Sequence, residues 1–219
     1  LSGGAPTISF RDLAIQQREN DLVAGSFGRS IWILDDYSPL RQIDEKALQQ
    51  ESLLFPVRDA RGSIPSMQGG EWSENNKGSQ GDAFYVAPNP PFGAVFTYYL
   101  KDGLKTAKET RQESEKKAAE KGDDTPYPGW SALRQEELED APAIVLTVRN
   151  SDGELIRQVE GPLTAGIHRI AWDLRYPKSD PWSPGNGGPR WLNFPGPLVE
   201  PGSYSVSIAK RVNGVLIEL

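Results

Sequence analysis

Two adjacent carboxylates, Asp35 and Asp36, close the stretch AGSFGRSIWILDD (residues 24–36), three residues after Trp32. Paired acids beside an aromatic are the equipment of a glycosidase. One carboxyl group protonates the leaving oxygen and the other attacks or activates water, across a gap of roughly 5 to 9.5 Å. Neighbours on an extended chain point to opposite faces, so Asp35 and Asp36 do not meet that geometry with each other. The YSPLR that follows suits an aspartate that accepts hydrogen bonds from its own backbone in a turn. Ion pairing with Arg29 or Arg41 is the remaining alternative. No catalytic residue is assigned.

The other chemistry-bearing residues lack the partners their reactions need. Arg11, beside Asp12, could clamp a carboxylate only together with several convergent arginines from other elements. His168 has no Ser or Cys nucleophile in any motif. NSDGE (150–154) offers Asp152 and Glu154 without EF-hand spacing, and an Asp-Gly hairpin turn explains it. GSFG and GNGG lack the lysine and helix of a phosphate loop. The chain has no cysteine and one histidine, which removes disulfides, thiolate ligands and multi-histidine metal sites. No metal and no cofactor are expected. The richest aromatic segment is YPKSDPWSPGNGGPRWLNFPGP (176–197). Its Trp182, Trp191 and Phe194 are candidates for stacking on sugar, whose C–H face suits a π surface. The competing reading folds them back as a plug on a sandwich end, since exposed aromatic patches are uncommon.

Charge and hydropathy narrow the class. A net charge of −6 argues against nucleic acid, which needs a clustered basic surface. No apolar run reaches the roughly 18 residues of a membrane helix. The chain starts at Leu1 without Met or a signal-like segment and ends straight after a strand-like run, so a piece of a longer protein is expected.

The elements that must carry these residues read as mainly β. Four strand-like runs at 7–15, 21–27, 30–36 and 52–57 predict a four-stranded meander like one propeller blade, over residues 1–58. A lone blade cannot bury both its faces and needs neighbours. Residues 59–91, rich in Gly, Ser, Asn and Pro, predict a linker or long loop. Residues 92–219 predict an Ig-like antiparallel β-sandwich. Its strands include AVFTYYL, with Phe96, Tyr98 and Leu100 on one face, and SYSVSIAK, with Tyr204, Val206 and Ile208 inward. Asn213-Gly214 marks a hairpin. At about 101–140 a helical insertion interrupts the sandwich. Residues 101–124 hold seven basic and seven acidic residues and no apolar stripe, which predicts a solvated helix or helical hairpin arm.

TISFRDLAIQQRENDLVAGSFGRSIWILDDYSPLR (7–41) resembles the last propeller blade of the bacterial sortilin-like, BNR-repeat proteins described as glycosyl-hydrolase-like. NPPFGAVFTYYLKD (89–102), GIHRIAWDLRYP (166–177) and GPLVEPGSYSV (196–206) are similar to the sandwich that follows it in that family. The resemblance implies a long exported protein, secreted or periplasmic, with one or two propellers ahead of this chain. It transfers no catalytic residue, and the aspartate box is not reproduced: here the acids follow Trp32, whereas the box puts its Asp ahead of Gly and Trp. A non-catalytic structural or accessory module is therefore expected, with its own upstream propeller as partner. The alternatives are a carbohydrate-binding module with polysaccharide as ligand, and part of a glycosidase site completed by absent blades. A strand-edge dimer is the further partner expected of the fragment.

Overall fold

The computed structural model describes residues 7–28, 31–62, 91–125, 127–178 and 196–219. The described residues divide between two units, one within 1–48 and 63–92, the other comprising 49–62 and 93–219.

The first unit holds one antiparallel sheet in the order β1-β2-β3: β1 Phe10–Gln16, β2 Asp21–Ser26 and β3 Ile31–Leu34. A tight turn at Asn20, with φ +57°, joins the first two strands. Register places Leu13 beside Ala24 and Trp32, and Ile15 beside Leu22 and Leu34, so these six residues share one face. Ala14, Val23 and Ile33 share the other. A 3-10 turn, Ser38–Gln42, follows β3 with Pro39 near its start.

The second unit is a two-sheet sandwich. One sheet has the order β4-β5-β8: β4 Ser52–Leu54, β5 Ala94–Leu100 and β8 Gly166–Trp172. The other has the order β10-β9-β6-β7: β6 Ala143–Arg149, β7 Leu155–Gly161, β9 Ser205–Val212 and β10 Val215–Glu218. All pairings are antiparallel. This is the mainly β, Ig-like sandwich expected from the pattern. One strand is placed differently from the constant-type arrangement: the fourth strand, β7, joins the β9-β6 sheet.

The meander expected over residues 1–58 loses its fourth strand. Leu53 and Leu54 pair with Tyr99 and Tyr98 of β5, and Phe55, next in line, is buried in the sandwich. The cause is burial. Phe55 is 1% exposed, a degree of enclosure that the open three-stranded sheet does not offer its own large side chains. The first sheet is thus three-stranded, and 49–62 belongs with the sandwich.

Phe96, Tyr98 and Leu100 from β5 meet Ile144, Leu146 and Val148 from β6, with Trp172, Ile156 and Ile208 completing the core. Tyr98 is fully enclosed, and its hydroxyl donates to the Pro162 carbonyl at 2.8 Å. Burial pushes its pKa up to about 12. Gly161 is glycine because a Cβ there would lie 2.3 Å from that hydroxyl. Asn213 and Gly214, both at positive φ, form the two-residue β9–β10 turn that their sequence announces.

The insertion is an antiparallel helical hairpin, α1 Ala107–Lys121 and α2 Trp130–Leu138. Thr106 and Glu109 form a capping box at the start of α1, and Gly122 at φ +76° closes its end. Neither helix buries a residue. The join is ionic instead. Arg111 presents Nε and Nη2 to the two oxygens of Glu136 at 2.7 and 2.8 Å, and Nη1 to Glu115 at 2.6 Å.

Candidate functional site

The acid pair sits at the end of β3. Asp36 adopts φ +43°, a left-handed conformation that aspartate tolerates better than most residues. Its Oδ1 accepts from the Ser38 backbone N–H at 3.3 Å and from the Ser38 hydroxyl at 2.5 Å. Its own N–H donates to Asp21 Oδ1 at 2.9 Å, and the Tyr37 N–H donates to the Asn20 carbonyl at 2.8 Å. Asp36 therefore ties the 3-10 turn to the β1–β2 turn, the structural role its YSPLR context indicates. Arg41 stacks over the Tyr37 ring at 4.5 Å and donates to the Tyr37 hydroxyl. Arg11 lies over the Phe27 ring at 4.9 Å, which gives it a packing role in the first sheet.

In the sandwich, His168 Nε2 lies 2.6 Å from the Thr164 carbonyl oxygen, an acceptor to which this nitrogen donates. The ring lies 5.3 Å from Tyr98. The 150–154 loop is a turn organised by Asn150. Its Oδ1 accepts from the Asp152 and Glu154 backbone N–H groups at 3.0 and 2.8 Å. Its Nδ2 donates to Glu154 at 2.9 Å, which occupies an oxygen that a cation would need. Among the described residues no group of three or more acids or histidines has the arrangement of a metal site.

Trp182, Trp191 and Phe194 lie outside the described residues, as does Arg29. What is described is the neck from which the aromatic segment leaves the sandwich. Strand order and direction put the end of β4, the start of β5, the 150–154 turn, the end of β8 and the start of β9 at one end of the sandwich. The helical arm, 162–165 and the 213–214 turn lie at the opposite end. At the neck, Arg175 bridges to Leu198, the Tyr176 N–H donates to the Pro197 carbonyl at 3.0 Å, and Val199 N–H to the Leu174 carbonyl at 2.8 Å. Arg175 Nη1 donates to the Gly196 carbonyl at 2.8 Å, and Arg157 Nη1 to the Tyr176 carbonyl at 3.3 Å. A Cβ at Gly196 would stand 2.1 Å from the Tyr176 carbonyl oxygen, so the two sides of the neck touch only because this residue is glycine.

Below the neck is a feature that strand periodicity does not reveal. Tyr204, just ahead of β9, donates its hydroxyl to the Glu200 carbonyl at 2.6 Å, the tyrosine corner of Ig-like sandwiches. Its ring meets Trp172 edge-on at 5.4 Å, and the Trp172 indole N–H donates to the Arg175 carbonyl at 3.0 Å. Partial burial raises the Tyr204 pKa, and Tyr176 and Glu200 add to it. The sequence does carry a signal for it: a tyrosine four residues after Glu200, across Pro201-Gly202, at the start of an alternating strand.

Among the described residues, exposed large apolar side chains are concentrated in the first sheet. Ile31 and Ile33 on one face are 68% and 61% exposed. Leu13 and Ile15 on the other are 61% and 52%, and Trp32 beside them is 37%. An antiparallel sheet normally alternates apolar and polar residues, and strands apolar on both sides belong to sheets covered on both sides. Comparison with protein-family models, with curated proteins and with solved structures gives no match.

Proposed function

We propose that this chain is a non-catalytic structural module of a larger exported protein, its first sheet a blade that packs between neighbouring repeats and its sandwich an accessory domain. The observation that carries this reading is the β1-β2-β3 sheet, apolar and open on both faces. Leaving such faces in water forfeits roughly 25 cal/mol for each Å² that a neighbour would cover. The reading agrees with the resemblance of residues 7–41 to the last blade of BNR-type propeller proteins of bacteria, whose glycosyl-hydrolase label then describes the parent and not this chain. The structural roles of Asp36, Arg11 and His168 support it.

A second reading, carbohydrate binding through Trp182, Trp191 and Phe194, is favoured by the clamped neck, which fixes the two chain positions, 176 and 196, between which that segment lies in sequence.

Ile33→Lys tests the first reading. In this chain alone it leaves the unfolding midpoint unchanged, because the side chain is already in water. In a longer chain that carries the propeller repeats it destabilises the protein, because a lysine is forced between sheets. Equal effects in both contexts overturn the reading.

A further inference from the structure

Among the described residues, two aromatic rings are covered by the chain's own cations: Phe27 by Arg11 and Tyr37 by Arg41. The tip of the helical hairpin presents two more rings in a different setting. Tyr127 is 63% exposed and Trp130 82%, the latter the most exposed large apolar side chain among the described residues. Their rings form a corner, with centroids 6.2 Å apart and planes at 74°. No cation of the described chain stands over either ring.

The corner is held by its backbone. Pro128 fixes φ in the residue between Tyr127 and Gly129. Gly129 adopts φ +85°, ψ +152°, a conformation reserved for glycine. Its carbonyl accepts from the Leu133 N–H, so Trp130 starts α2 in a set orientation. The Arg111–Glu136 fork and the bond from the Ala107 N–H to Glu139 at 2.7 Å anchor the opposite end of the hairpin.

Two rings at a steep angle suit a rounded group better than a flat one. A pyranose needs one plane to lie on. An ammonium group, roughly spherical, contacts two negative π faces at once, as in the aromatic cages that recognise quaternary ammonium. The local charge has the right sign. Because the helices run antiparallel, the negative end of α1 and the positive end of α2 meet at this tip and offset one another. That leaves Asp123 and Asp124 against Lys121 in the connecting segment. Neither aspartate takes part in an ion pair among the described residues.

We propose that the Tyr127–Trp130 corner, flanked by Asp123 and Asp124, is a binding site for an ammonium group. The group is carried either by a small quaternary amine or by a lysine side chain of a partner.

The test is an NMR titration of the whole chain, following the Trp130 indole N–H, assigned by its loss in Trp130→Phe. Tetramethylammonium chloride is added at constant ionic strength. The expected result is a saturable shift in the millimolar range, absent with neopentyl alcohol, which has the same shape without the charge. Tyr127→Leu keeps apolar bulk, removes one π wall and weakens the binding at least fivefold, with the helical circular dichroism unchanged. Choline and N-acetyl-lysine methylamide distinguish the sources: preference for choline indicates a quaternary amine, and equal or tighter lysine binding indicates a basic partner segment. Equal shifts with neopentyl alcohol, a linear response without saturation, or saturable binding of cellobiose in place of the cation overturns the proposal.

Discussion

Gly161 and Tyr98 make a prediction that can be worked through in numbers. A methyl group added at Gly161 would stand 2.3 Å from the Tyr98 hydroxyl and 3.0 Å from Cζ. Tyr98 cannot swing away, since its ring is fully enclosed. Overpacking of this kind costs about 1–3 kcal/mol, and losing the hydroxyl's bond to Pro162 adds about 1 kcal/mol. Restricting the unfolded chain returns about 0.4–1 kcal/mol, because Gly161 does not hold a positive φ. Gly161→Ala should therefore destabilise by about 1–3.5 kcal/mol. Tyr98→Phe alone should cost about 1 kcal/mol, the worth of one hydrogen bond, with the exposed Pro162 carbonyl turning to water. In the double variant the offending oxygen is gone and the remaining contacts are merely tight. The pair should then cost about 1 kcal/mol less than the sum of its parts. Urea unfolding of the four proteins, at constant m-value, measures this. Additivity within about 0.5 kcal/mol would refute the packing argument.

The same tyrosine governs the alkaline limit. Its folded pKa of about 12 lies above the ordinary value of 10.0, so the neutral form is favoured by folding. Its contribution is complete below pH 10 and is lost as pH rises towards 12, on the order of a few kcal/mol at most. Absorbance at 295 nm should show one tyrosine titrating last, and Tyr98→Phe should flatten the stability profile over that window. The helical arm responds in the opposite direction. The Arg111 guanidinium holds the Glu136 carboxyl below its usual range, so the fork is complete above the ordinary carboxylate pKa and is lost as pH falls below it. Protection of the 107–121 amides, measured against their intrinsic exchange rates at each pH, should fall in acid, in high salt and in Arg111→Ala, while the sandwich midpoint barely moves. At the end of β3, Asp36→Ala should cost about 1 kcal/mol, read from exchange of the 36–42 amides. Asp36→Asn should be nearly neutral, because asparagine keeps an acceptor oxygen and tolerates the left-handed backbone.

Much of this fold is legible in the amino-acid sequence. Alternation at Phe96, Tyr98 and Leu100 identifies the core face of β5, and Asn213-Gly214 places the last hairpin. The even charge of 101–124 marks a helical arm without an apolar stripe. Residues 52–57 are harder. Strands adjacent in sequence usually pair, which favours a fourth meander strand. Nothing local in SLLF says that its partner lies across the 55–93 connection. Phe55 settles it through burial, a property of the whole sandwich. The tyrosine corner at Tyr204 escapes a reading by periodicity because its meaning depends on a carbonyl four residues back. The Tyr127–Trp130 corner escapes it because Pro and Gly there read only as a break between elements. In the stretch 24–36, the alternation that turns Asp35 from Asp36 is readable, whereas the left-handed backbone of Asp36 is not.

The central claim is that the β1-β2-β3 sheet is built to be covered by neighbouring repeats. Trp32 lies on one of its faces, so acrylamide quenching of Trp32, isolated by difference against Trp32→Phe, tests this most directly. The account predicts ready quenching in this chain and protection of at least severalfold in a longer chain that carries the propeller repeats. Equal quenching in both would contradict it.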